Sequence, residues 1–154
     1  MNVRSSVQIN RPASVVFSFI TDPRNYALWH SGFLGVEVTP HGPLQVGWLF
    51  RFRTRIFMKE FETVTEFREV HLGKRLVYRG ISGPFAYTGS YIMDSSNGGT
   101  VVTWVLDGET QGFFGMAEPA LSKMAEMKLG ADLEKIKEVL ESEGGEVIDS
   151  IAYS

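Results

Sequence analysis

Residues 116–142 read MAEPALSKMAEMKLGADLEKIKEVLES and carry the longest helical pattern in the chain. At about 100° per residue, one stripe is apolar and the charged residues lie mostly off it; the stripe consists of Ala125, Leu129, Leu133, Ile136 and Leu140. An amphipathic helix of this kind must bury its stripe against another element. We therefore predict a C-terminal helix, roughly 40 Å long, that lies on a sheet.

The residues before this helix are typical of short strands with tight turns. In the first strand, Val3, Val7 and Ile9 alternate with polar neighbours. Two short helices follow at residues 12–20 and 23–29, because proline suits the first turn of a helix. Further strands are predicted from residue 34 and at residues 47–58, 61–70, 75–81, 85–94 and 100–110, with turns at residues 41–43 and 97–99.

Length and composition restrict the class of protein. The chain has 154 residues, a net charge of -3, three histidines and no cysteine. We expect one domain at residues 1–142 and a loose tail at residues 143–154. The histidines lack metal-ligand spacing, so no metal or other cofactor is expected. The acidic balance argues against nucleic acid, and the absence of a long apolar run or a signal segment predicts a cytoplasmic protein without a membrane span.

The predicted order is one strand, two short helices, about six antiparallel strands and one long helix. This is an α+β architecture in which a curved sheet of about seven strands wraps around the C-terminal helix. Such a sheet does not close completely near the helix ends. We therefore predict a cavity between the sheet, the long helix and the two short helices.

The sequences of several segments resemble motifs of one known superfamily. The relevant residues are Ile9-Asn10-Arg11-Pro12-Ala13, Asp22-Pro23 ahead of Trp29, Gly42-Pro43, Val46-Gly47 and Gly98-Gly99-Thr100. In this order they resemble the START/Bet v 1-like (SRPBCC) proteins, which have the helix-grip fold. The resemblance covers essentially the whole chain and implies a ligand cavity.

A closer similarity is to the polyketide cyclase/dehydrase (aromatase/cyclase) branch of that superfamily, through residues 83–87, 98–100 and 104–105. Those enzymes hold a poly-β-ketone and favour one aldol ring closure and dehydration. The resemblance implies Arg68 as the pocket arginine and Asp132 at the position of the pocket asparagine. An aspartate there could form an ion pair with Arg68. The guanidinium group would then not be free to bind a substrate carbonyl.

Arg68 and Asp132 are therefore candidate catalytic residues with structural alternatives. If the strand is regular, Arg68 shares a face with Val64 and Glu66, and we expect that face to be concave. There, a guanidinium group could polarise a carbonyl; alternatively it makes an ion pair with Glu66 or Asp132. Asp132 lies near the helix stripe and could act as a base, or it could pair with Lys128 or Lys135.

The candidate ligand-binding residues are mostly aromatic or flexible apolar side chains. Core packing is the alternative role for the aromatic residues, and a surface or capping role is the alternative for the histidine. The set comprises Tyr26, His30, Phe33, Phe50, Phe52, Val64, Trp104, Met124 and Lys128.

Three functions agree with this reading. The first is binding of a small hydrophobic ligand, aromatic, polyketide-like or lipid-like, without chemistry. The second is a cyclase/dehydratase that uses Arg68 and Asp132. The third is an interaction module that resembles Hsp90-activator-like proteins and has a filled interior. An exposed edge strand would allow either a monomer or a homodimer.

Overall fold

The structure, a computed structural model, describes residues 1–39, 44–56, 58–83, 86–109 and 118–142. Seven strands form one antiparallel sheet: β1 (Asn2–Ile9), β2 (Phe33–Thr39), β3 (Leu49–Ile56), β4 (Lys59–His71), β5 (Arg75–Ser82), β6 (Tyr87–Ser96) and β7 (Gly99–Gly108). Their order across the sheet is β1-β7-β6-β5-β4-β3-β2. The sheet is thus a meander whose first strand crosses over to pair with the last, from Ile9 opposite Thr100 to Asn2 opposite Asp107.

Three helices accompany the sheet: α1 (Ala13–Thr21), α2 (Tyr26–Trp29) and α3 (Glu118–Glu141). A 3-10 turn at Pro23–Asn25 links α1 to α2, and the Asp22 carboxylate caps this turn by accepting a hydrogen bond from the Arg24 N–H at 3.0 Å. The predicted helix-grip architecture is confirmed. Of the predicted long helix, residues 116 and 117 lie outside the described residues.

The core lies between α3 and the concave face of the sheet, which we define as the face that α3 covers. The apolar stripe of α3 is buried as the periodicity predicts, with Leu129, Leu133, Ile136 and Leu140 at most 2% exposed. Gly130 lies next to β1, since a Cβ atom there would be 3.4 Å from Ser5 Oγ. The mid-helix glycine therefore coincides with a helix-to-strand approach.

The opposite, convex face carries charged pairs between neighbouring strands. Arg51 pairs with Glu62 at 3.6 Å, and Arg55 pairs with Glu60 at 2.9 Å, all with side chains about half exposed. Attraction between opposite charges on neighbouring strands accounts for the arginines that alternate along the convex face of β3. Exposed pairs of this kind contribute little stability individually.

The turns agree with the sequence where they are described. Asn97 and Gly98 have φ values of 51° and 78°, and they join β6 to β7 as the hairpin chemistry predicts. The predicted turn at residues 41–43 and the predicted tail at residues 143–154 lie outside the described residues. Among the helices described, none combines the length and apolar character needed to cross a membrane.

Candidate functional site

A cavity of about 280 Å³ lies between α3 and the concave face of the sheet. All strands from β3 to β7 contribute to its wall, together with α3 and the residue after α2. The lining residues are Met1, His30, Phe52, Thr54, Ile56, Phe61, Thr63, Tyr78, Tyr87, Trp104, Leu106, Gly108, Glu109, Leu121, Met124, Ala125, Lys128 and Leu129. Most of this wall is apolar, so the cavity suits a hydrophobic molecule.

One region of the wall is polar, and the Asp132 carboxylate holds it together. Asp132 Oδ2 accepts a hydrogen bond from Lys128 Nζ at 2.6 Å, one helical turn earlier in α3. Asp132 Oδ1 accepts from the Ser31 backbone N–H at 3.2 Å, which ties the end of α2 to α3. The Asp132 side chain is 2% exposed and that of Lys128 is 32% exposed. We call the residues His30, Lys128 and Asp132 the polar corner.

His30 directly follows α2 and lines the cavity. The ring contacts Tyr26, Trp29 and Phe52, with centroid separations of 5.4, 5.4 and 5.9 Å. Burial lowers the pKa of His30 from 6.5 to about 4. The positive charge of Lys128 lowers this pKa further, whereas the negative charge of Asp132 raises it. The imidazole is therefore neutral at pH 7.

Three buried tyrosines lie next to one another, Tyr78 and Tyr91 in the sheet and Tyr26 in α2, and Tyr78 lines the cavity. Trp104 Nε1 donates a hydrogen bond to Tyr78 Oη at 2.9 Å, and the Tyr91 ring lies against the Tyr78 ring at a centroid separation of 5.5 Å. Burial raises the pKa of Tyr26, Tyr78 and Tyr91, so all three hydroxyls stay protonated. The Tyr78 ring lies over Gly89 of the neighbouring strand, where any Cβ atom would collide with it.

Five of the predicted ligand-binding residues line this cavity: His30, Phe52, Trp104, Met124 and Lys128. Three others lie behind its wall. Tyr26 contacts Phe33 and Phe50 at centroid separations of 6.2 and 5.8 Å, within the aromatic core. Their alternative role in core packing is the one that the structure shows.

The predicted concave-face position of Arg68 and Val64 is wrong. In β4 the buried side chains belong to Thr63, Thr65 and Phe67, so the residues between them point outward. Arg68 pairs with Glu66 on the convex face, and its side chain is 49% exposed. It therefore contacts neither the cavity nor Asp132. The expectation failed because the alternation in β4 places threonines, not apolar residues, at two inward positions.

The catalytic role of Asp132 stays a prediction, but its contacts are now defined. Of the two alternatives, the pairing with Lys128 is the one observed, and the carboxylate adds the contact to Ser31. Asp132 thus positions residues of the cavity wall without itself lining the cavity.

Several cavity residues were not predicted as ligand contacts. Thr54 and Ile56 follow Phe52 on the same face of β3, so the alternation of that strand was a signal for them. Leu121, Ala125 and Leu129 lie on one side of α3, where the helical period was the signal. Strand alternation was also a signal for Leu106 and Gly108, which follow Trp104 in β7, and for Phe61 and Thr63 in β4. Tyr78 and Tyr87 line the cavity as well, whereas the contacts from Met1 and Glu109 depend on how distant strands curve together and had no local signal.

This architecture can be compared with known proteins. A family model described as "Polyketide cyclase / dehydrase and lipid transport" matches residues 1–141. The chain belongs to this family. The resemblance in the sequence to polyketide cyclase/dehydrase proteins is therefore confirmed, whereas a comparison with curated proteins finds no significant match.

Several solved structures share the fold of this family member at low sequence identity. TTHA0849 from Thermus thermophilus has a TM-score of 0.77 at 18% identity, with 100% of both chains covered. A START superfamily protein from Mycobacterium smegmatis has a TM-score of 0.73 at 15% identity, covering 97% of this chain and 98% of that one. Ginseng major latex-like protein 151 from Panax ginseng has a TM-score of 0.71 at 13% identity, covering 92% and 98%.

Proposed function

We propose that this protein binds a small hydrophobic ligand in the cavity between α3 and the sheet. The observation that carries the proposal is the cavity of about 280 Å³, whose wall is mostly apolar. Burial of an apolar ligand in such a space is favoured by about 25 cal/mol per Å² of apolar surface removed from water. Membership of a family described by cyclase, dehydrase and lipid transport activities supports the same conclusion.

The size of the cavity restricts the class of ligand. An engineered apolar cavity of about 150 Å³ in another protein holds benzene. A cavity of about 280 Å³ is nearly twice as large, so it suits one or two fused rings or a short chain. The aromatic residues Phe52, Phe61 and Trp104 in the wall favour a flat ligand, because aromatic rings pack well edge to face or offset.

The two other functions receive less support. An interaction module with a filled interior would lack a cavity of this volume. The cyclase mechanism considered above needs the Arg68 guanidinium group inside the cavity, but Arg68 lies on the convex face. A ligand-binding role requires neither a filled interior nor an inward arginine, and we therefore favour it.

The proposal is tested by filling the cavity. Ala125 lines the cavity from α3, whereas Ala131 lies on the exposed side of the same helix. We expect the wild-type protein to bind naphthalene, a neutral fluorescent probe of two fused rings. The Ala125→Trp variant should bind this probe at least about tenfold more weakly, a loss of about 1.4 kcal/mol, because the indole would occupy the probe's space.

The Ala131→Trp variant is the matched control, because it adds the same side chain to the same helix outside the cavity. Thermal denaturation of both variants checks that each is folded. Equal probe affinity in the wild type and in a folded Ala125→Trp variant would show that the probe binds elsewhere. Independently of the probe, mass spectrometry of molecules that co-purify with the native protein would identify the natural ligand.

A further inference from the structure

We propose that the polar corner recognises a hydroxyl group of the ligand, such as a phenol or an enol. His30 Nε2 accepts the hydrogen bond that the hydroxyl donates, and Lys128 Nζ donates one to the hydroxyl oxygen. This inference rests on the proposed function, since it concerns the polar end of a ligand in the same cavity.

The backbone fixes which nitrogen of His30 carries the proton. His30 Nδ1 lies 3.1 Å from the Ser31 carbonyl oxygen, and a carbonyl oxygen can only accept. In a neutral imidazole, Nδ1 must therefore carry the hydrogen, and Nε2 must carry the lone pair. His30 lines the cavity, and no hydrogen bond to Nε2 is found among the described residues. The Nε2 lone pair is thus available to a donor on the ligand.

Lys128 supplies the complementary donor. Its ammonium group has three hydrogens, of which one is donated to Asp132 Oδ2 at 2.6 Å. Because Lys128 also lines the cavity, the other hydrogens can reach a ligand acceptor. Asp132 fixes the relative position of the two groups, since its second oxygen holds the backbone of Ser31, the residue after His30. Asp132 is therefore a positioning residue for this pair.

The groups that face His30 come from three elements. Lys128 and Asp132 belong to α3, Tyr26 belongs to α2, and Phe52 of β3 adds an uncharged ring. Only the lysine and the aspartate are charged at pH 7, and they form a pair with each other. The polar corner as a whole therefore offers one acceptor and one donor without a net charge.

A hydroxyl group matches this combination better than the other common polar groups. A ketone oxygen can accept from Lys128 but leaves the His30 lone pair unmatched. A carboxylate also only accepts, and it would lie close to both that lone pair and the Asp132 charge. A purely apolar group leaves the His30 lone pair without a donor and gives Lys128 no partner beyond Asp132.

The test compares two probes that differ by one hydroxyl group, 1-naphthol and naphthalene, by calorimetric titration at neutral pH. The readout is the ratio of the two affinities, which cancels general effects on the cavity. We expect both His30→Phe and Lys128→Met to lower the naphthol-to-naphthalene ratio by about tenfold relative to the wild type. Naphthalene affinity itself should change much less, because the apolar wall remains.

Lys135→Met is the matched control for Lys128→Met. Lys135 is an exposed lysine of the same helix that contacts Glu138 and does not line the cavity, so its removal should leave the ratio unchanged. His30→Gln is the conservative variant, since its amide oxygen can still accept, and it should retain part of the preference.

Three results would overturn parts of this reasoning separately. A wild-type ratio that persists in folded His30→Phe and Lys128→Met variants refutes the hydroxyl assignment but leaves the cavity as the binding site. Tighter binding of 1-naphthoate than of 1-naphthol would show that the polar corner prefers an anion, which also refutes the assignment. Failure of the wild type to bind naphthalene or 1-naphthol at all would refute the proposed function.

Discussion

Acidification should destabilise this protein through His30. In the unfolded chain the histidine pKa is 6.5, whereas burial lowers the folded-state pKa to about 4. The folded state therefore binds fewer protons than the unfolded state between these two values. Stability is fully present above the unfolded-state pKa, and it falls as the pH drops from 6.5 towards 4.

The size of the effect follows from the difference between the two pKa values. Each pKa unit corresponds to about 1.4 kcal/mol of differential stability. At about pH 5, roughly 1.5 units below the unfolded-state value, the folded state should have lost about 2 kcal/mol because of this one group. That amount is a large fraction of the total stability of a typical domain, which is about 5–15 kcal/mol.

Urea unfolding at about pH 7.5 and about pH 5 measures this contribution when the wild type is compared with His30→Gln. Carboxylates also titrate on acidification, but their contributions are common to both proteins and cancel. We expect the wild type to lose about 2 kcal/mol more than His30→Gln over this interval. His71→Gln is the matched control, because the His71 side chain is 60% exposed on the convex side.

Equal pH dependence of the wild type and His30→Gln would contradict the reasoning. Such a result would mean that water or a rearranged Asp132 carboxylate solvates the imidazolium inside the folded protein. A difference of the opposite sign, with the wild type more stable in acid, would show that Asp132 outweighs burial and Lys128.

Three substitutions test other parts of the structure by urea unfolding. Gly130→Ala should stabilise the protein by about 0.5–1 kcal/mol, since the new Cβ would meet Ser5 Oγ at an ordinary contact distance of 3.4 Å; destabilisation would indicate tighter packing of α3 on β1. Asp132→Ala should cost about 1–3 kcal/mol, because it removes the charged acceptor that bonds both the Ser31 N–H and Lys128 Nζ; a neutral effect would contradict the bridging role. Arg68→Ala should change stability by less than about 1 kcal/mol and leave probe binding unchanged, as expected for an exposed ion pair; loss of probe binding would show that Arg68 contributes to the binding site.

The elements of this fold could be predicted because their signals are local. The apolar stripe from Ala125 to Leu140 predicts α3, because the spacing that defines the stripe can be read from nearby positions in the sequence. The alternation in β3 separates inward aromatic residues from outward arginines for the same reason. The resemblance to a known family then supplied the order in which these elements pack.

The predicted inward face of β4 is the wrong one, although the alternation of this strand was informative. The observed inward face carries no charge, whereas the outward face carries three charged side chains; the two sets are Phe61, Thr63, Thr65 and Phe67, and Glu62, Val64, Glu66 and Arg68. A register shift between Phe67 and Glu69 interrupts the period next to Arg68. Because a change of one residue reverses a strand's faces, a prediction that turned Val64 inward also placed Arg68 on the wrong face.

The sequence by itself determined the elements, their order and the apolar surfaces that must meet, because these depend on neighbours along the chain. Only the tertiary structure decided where the cavity remains and which polar groups face it. The polar corner joins His30 and Ser31 to Asp132, which lies 101 residues after Ser31 in the chain. No local pattern encodes that contact, since it arises only when α2 and α3 pack together around the curved sheet.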